Sequence, residues 1–101
     1  MQLKNLIAGL PVRQIQGPVD RAVESIAYDS RRVQKNGVFV ALRGEKSDGH
    51  DFIDQAIEKG AVAIVAERAE KQPRATVVEV ENTRNVLADL GAAWAPETAV
   101  P

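Results

Sequence analysis

Val38-Phe39-Val40-Ala41-Leu42 and Ala61-Val62-Ala63-Ile64-Val65-Ala66 are short apolar runs with no polar residue at alternate positions. A strand with one wet face alternates, and a helix able to bury such a run is longer. These two runs therefore predict strands covered on both faces, as in a parallel sheet with helices on each side. Thr76-Val77-Val78-Glu79-Val80 predicts a third strand. Between the first two runs, Phe52, Ile53, Ala56 and Ile57 fall on one helical stripe, with Asp51 or a neighbour as cap and Gly60 just past the end. Strand, helix, strand, strand and helix in that order imply crossover connections and an α/β layer structure.

The flanks are read in the same way. Leu3, Leu6, Ile7 and Leu10 predict a short amphipathic helix closed by Gly9 to Pro11. Val12 to Ile15 predicts a short strand broken by Gly17-Pro18, and Val23 to Tyr28 alternates as a half-buried strand should. Lys35-Asn36-Gly37 is a turn signal. Asn82 caps a helix carrying Val86, Leu87, Leu90 and Trp94 on one face, where Trp94 reads as core. Residues 1–94 then form one small three-layer α/β domain, its largely parallel or mixed sheet of about four or five strands flanked by helices. Residues 95–101 have the composition of a linker.

Composition narrows the function. With 13 basic and 14 acidic residues, a net charge of −1 and 4% aromatics, the chain lacks the profile of a nucleic-acid binder. Cysteine is absent, which removes thiolate chemistry and disulfides, and one histidine does not make a protein-only zinc site. No apolar run approaches the ~20 residues of a bilayer span, and the first six residues are too polar for a signal segment. The expectation is a cytoplasmic domain without a membrane partner.

Two turns carry the polar residues that can meet a ligand. Asp29-Ser30-Arg31 ends one strand; Asp29 suits a local side-chain turn, Ser30 can donate to a phosphate oxygen, and Arg31 and Arg32 can supply charge. Gly44-Glu45-Lys46-Ser47-Asp48-Gly49 links a buried strand to a helix, where backbone amides, Lys46 and Ser47 suit an anionic or sugar-containing ligand. Its glycine–lysine spacing is wrong for a P-loop. An ordinary solvated surface remains the alternative for each turn taken alone. His50 has no triad partner and reads as a hydrogen-bonding residue at a helix entrance. The chain holds no covalent catalyst.

The ordered set Ala27-Tyr28-Asp29-Ser30-Arg31-Arg32-Val33, Gly37-Val38-Phe39-Val40-Ala41-Leu42-Arg43-Gly44, Asp48-Gly49-His50-Asp51-Phe52-Ile53 and Gly60-Ala61-Val62-Ala63-Ile64-Val65-Ala66-Glu67 resembles the N-terminal domain of the Mur ligases. The likeness runs from Met1 to about Trp94 and is greatest to the MurE branch, which adds the third amino acid of the peptidoglycan stem peptide. It implies the substrate-anchoring part of a three-domain enzyme acting on UDP-MurNAc-L-Ala-D-Glu, with central and C-terminal domains in cis. The resemblance places Ser30 on the UDP-sugar nucleotide, Tyr28 near the uracil, and Glu45, Lys46 and Ser47 on the uridine. ATP and Mg2+ are implied for the whole enzyme and for no residue here, because the family's Gly-Thr-Asn-Gly-Lys-Thr loop does not occur in the chain. A domain that folds but does not ligate is expected. The same pattern fits the MurF branch, which adds D-alanyl-D-alanine, and a non-catalytic α/β interaction module is the reading from another class.

Overall fold

A computed structural model describes residues 1–44 and 48–98, with side chains through Gly91. Strands β1 (Val12–Gln16), β2 (Ser25–Ala27), β3 (Gly37–Val40), β4 (Ala61–Ala66) and β5 (Thr76–Val80) form one sheet in the order β1-β5-β4-β3-β2. β2 to β5 run parallel, and β1 lies antiparallel to β5 at one edge. Helices α1 (Leu3–Ile7) and α3 (Thr83–Thr98) contribute to the core on one face. Helix α2 (Ile53–Glu58) supplies the core on the other. The expected α/β sheet flanked by helices is what the chain forms.

The missing alternation has the cause inferred from it. Val38 and Val40 enter a cluster with Leu3, Leu6, Ile7, Val86 and Leu90, while Phe39 and Ala41 enter another with Val33, Ile53, Ala56 and Ile57. Both faces of β3 are dry. A bulge adjusts β4: Gly37 pairs with Ala61 but Val38 pairs with Ala63, leaving Val62 as an extra residue. The bulge sends Ala61 and Ala63 to opposite cores, although a regular strand would point them the same way.

Some boundaries move. The first helix stops at Ile7 rather than reaching Leu10. The expected strand over residues 23–28 pairs only at Ser25–Ala27, because its neighbour begins at Gly37 and Tyr28 leaves the ladder. Asp48, not Asp51, caps the next element: its carboxylate accepts the His50 amide at 3.0 Å and starts a 3-10 turn over Gly49–Phe52. Phe52 is thereby lifted out of the expected apolar stripe and is 38% exposed. Asn82 caps α3 as anticipated, accepting the Asn85 amide at 3.0 Å. The helical backbone continues through Thr98, into the stretch read as linker, and the Trp94 side chain lies outside the described ones.

Two turns lock together beneath the sheet. The Asn36 amide donates to the Gly60 carbonyl at 2.9 Å, and Asn36 and Gly60 have φ values of 60° and 118°. A Cβ on Gly60 would sit 2.7 Å from Lys35 Cα, so glycine is required there for both backbone shape and space. No helix is long and apolar enough to cross a membrane, among the described residues.

Candidate functional site: a cleft at the ends of β2 and β3

Because β2 and β3 are parallel neighbours, the segments that follow them emerge at the same end of the sheet. That geometry brings the two turns singled out in the sequence to one cleft of about 680 Å³. Tyr28, Ser30 and Arg31 line it from the first turn, and Leu42, Gly44 and Gly49 from the second. Glu45, Lys46 and Ser47 lie outside the described residues; Gly44 and Gly49 line the cleft.

Each wall has a local cause. In the first turn the Asp29 carboxylate accepts the Arg31 amide at 2.9 Å, which folds Ser30–Arg32 into a single 3-10 turn. The same carboxylate accepts the Arg31 guanidinium through Nε at 3.1 Å and Nη2 at 2.9 Å. The local-turn reading of Asp29 is what the chain adopts. Arg31 is correspondingly held by its own turn, although its side chain stays largely exposed. Ser30 is buried, and its hydroxyl donates to Gln55 Oε1 on α2 at 3.3 Å. Tyr28 stands 62% exposed at the rim.

The second wall is closed at its base. Arg43 and Asp48 form an isolated antiparallel bridge, and the Gly49 amide donates to the Leu42 carbonyl at 2.7 Å. Phe52 and Gln55 complete the α2 side, and Arg84, from the first turn of α3, reaches over to donate to the Arg43 carbonyl at 3.3 Å. Sequence reasoning missed Gln55 and Arg84 as site residues. Arg84's position two residues after the Asn82 cap was the available signal, and Gln55 had none.

The cleft combines an aromatic and apolar rim (Tyr28, Phe52, Leu42) with a polar floor (Ser30, Gln55) and a guanidinium at one side. Such a lining suits a flat heterocycle with hydrogen-bonding edges, attached to something anionic. Ser30 faces the Gln55 amide, which does not activate its hydroxyl as a nucleophile. The charge state of the turn is fixed well into acid: the Arg31 side chain first, then the Arg31 amide, lower Asp29 from the ordinary 3.8 to about 2. A depressed carboxyl stabilises the turn fully above its unfolded value and ceases to do so as pH falls through the folded one. The Asp29 carboxyl carbon, followed by NMR, is expected to titrate near 2; a midpoint near 4 would show that Arg31 does not hold it.

A family model described as "Mur ligase family, catalytic domain" matches residues 22–95. A UDP-N-acetylmuramoyl-L-alanyl-D-glutamate–2,6-diaminopimelate ligase of Syntrophomonas wolfei is 47% identical over 93 residues, 91% of this chain and 19% of that protein. One of the same name from Clostridium acetobutylicum is 43% identical, also across 91% of this chain and 19% of its own length. Among solved structures, MurF from Acinetobacter baumannii superposes with a TM-score of 0.79 at 27% identity, over 97% of this chain and 21% of that one. The fold is an α/β domain with a cleft at the carboxyl ends of parallel strands. The chain belongs to the Mur ligase family, and it spans 19% of the length of the two curated relatives.

Proposed function

We propose that this chain is the UDP-sugar-anchoring domain of a cytoplasmic, ATP-dependent amide ligase that adds the third amino acid to UDP-MurNAc-L-Ala-D-Glu in peptidoglycan synthesis. The observation that carries the reading is the cleft shared by the two turns, with Tyr28, Ser30, Gly44 and Gly49 on its walls. In this reading Tyr28 and Phe52 flank the uracil, Ser30 donates to the nucleotide, and Glu45 to Ser47 meet the uridine. The names of the relatives favour diaminopimelate as the added amino acid.

The domain's share of catalysis is orientation. The ligase reaction activates the substrate's terminal carboxylate as an acyl phosphate at the expense of ATP, and the incoming amine then attacks it. Binding energy from the distant nucleotide holds that carboxylate in place, which converts an encounter into an internal step. In this reading ATP and magnesium belong to the whole enzyme and no residue of this chain is assigned to them, as the family's Gly-Thr-Asn-Gly-Lys-Thr loop does not occur in its sequence.

Titration with UDP-MurNAc-dipeptide, followed by amide chemical shifts, is expected to perturb Tyr28, Ser30, residues 44–49 and Gln55. Silence at millimolar ligand would leave the interaction-module reading in its place. Ser30→Ala is expected to weaken binding by about 0.5–1.5 kcal/mol if the hydroxyl meets a neutral acceptor, and by up to about 3 for a phosphate oxygen. Unchanged affinity would remove Ser30 from the site. The similarity to MurF supports a second reading, addition of D-alanyl-D-alanine. The amino acid or dipeptide incorporated by the intact enzyme decides between them.

A further inference from the structure

Glu67, the first residue after β4, touches three separate segments. Its backbone amide donates to His50 Nε2 at 3.0 Å. Its Oε2 accepts the Thr83 amide at 3.2 Å and the Thr83 hydroxyl at 3.3 Å, at the start of α3. Its Oε1 accepts Arg43 Nη2 at 3.1 Å, from the segment that closes the base of the cleft wall.

His50 has one arrangement available. Nε2 accepts a backbone N–H, so it carries a lone pair, and the ring proton resides on Nδ1. Nδ1 lies 2.6 Å from Asp48 Oδ1, which also accepts the His50 amide. The His50 side chain is 6% exposed, leaving water little room to replace either partner. Asp48 in turn pairs with Arg43 across the isolated bridge. A continuous chain of bonds thus runs from the wall of the cleft through His50 and Glu67 to Thr83, and the next residue, Arg84, lines the cleft itself.

We propose that His50 and Glu67 form a crosspiece that couples Arg43, Asp48 and Gly49 on the cleft wall to the first turn of α3, with His50 as its positioning residue. Its apo form stands on the bonds alone. Its consequence, that an occupied cleft is felt at α3, rests on the nucleotide-binding reading above.

The test uses the whole 101-residue chain. His50→Asn retains a donor for Asp48 but lacks an acceptor for the Glu67 amide, whereas His50→Gln can place a carbonyl oxygen where Nε2 was. Without ligand, His50→Asn is expected to speed hydrogen exchange about tenfold at Glu67, Gly49 and Thr83 relative to amides of β4 and β5, and His50→Gln to restore most of the protection. Glu67→Gln, which leaves the His50 contact intact, is expected to release Thr83 and Gly49 together. The wild-type imidazole should report a protonated Nδ1 and a bare Nε2 by 15N NMR. Exchange that rises evenly throughout, or at Glu67 alone with Thr83 unmoved, overturns the crosspiece, as does the opposite tautomer. With UDP present, Thr83 and Asn85 should shift in wild type and shift less in His50→Asn, where the direct Arg84 and Glu67 contacts with Arg43 remain, while Tyr28 and Gln55 respond equally in both. Equal shifts at Thr83 in the two proteins overturn the role of His50. If nothing in wild type responds to UDP, the binding reading fails and the ligand-free arm alone decides the crosspiece.

Discussion

Phe39→Ala is expected to lower unfolding free energy by about 3–5 kcal/mol, the largest loss among single changes considered for this chain. Phe39 is 1% exposed and is the largest fully buried side chain among the described residues. It projects from the middle of β3 into the cluster containing Ile53, Ala56, Ile57 and Ile64, and it also lines the cleft from below. Truncation would leave a hole that strands on either side, held by ladder bonds, cannot close. Domains of this size hold only about 5–15 kcal/mol in total, so the variant would be partly unfolded at modest urea. Urea denaturation followed by circular dichroism measures the effect. A loss below about 1 kcal/mol would mean that the α2 layer collapses onto the sheet and is softer than its packing indicates.

Gly49→Ala is the second. A Cβ there would lie 2.7 Å from Leu42 N, 2.8 Å from Leu42 O and 3.1 Å from Ala41 Cα. All three contacts are backbone, so no side chain can swing away. The methyl must push the 3-10 turn off the end of β3, breaking the 2.7 Å bond from the Gly49 amide to the Leu42 carbonyl. The expected cost is about 1–3 kcal/mol of stability, together with loss of ligand response at residues 44–49. Gly9→Ala is the matched control, since nothing lies within 4 Å of the added methyl. It should stay within about 0.5 kcal/mol of wild type. Equal behaviour of the two variants in thermal unfolding would remove the steric argument.

The sequence was most legible where burial was complete. β4 and β5 occupy the ranges read from their residues, because a run dry on both faces has no other explanation at that length. Asp29 and Asn82 were legible for a different reason: each bonds backbone within three residues of itself, so local chemistry decides. Phe52 was read onto the apolar stripe of the helix, but Asp48 starts the turn earlier than that stripe suggests and leaves the ring lining the cleft. Gln55 was invisible because only the tertiary arrangement brings α2 to the turn after β2, and Arg84, though it follows a recognisable cap, meets the segment after β3 only in the folded chain. Arg31 looked like free charge, and its bidentate contact with Asp29 could not be read from adjacency alone.

The pairing of Val12 with Val80 has a consequence for biogenesis. Translation delivers the chain from its amino end, so the first strand leaves the ribosome long before its only neighbour exists. The parallel strands from Ser25 onward can assemble in the order they emerge, but the antiparallel seam must wait for the stretch ending at Val80. During that interval the nascent segment around Ile15 offers open hydrogen-bonding groups to any passing polypeptide. Until that seam closes, the edge of β5 opposite β4 also stays open to the wrong partner.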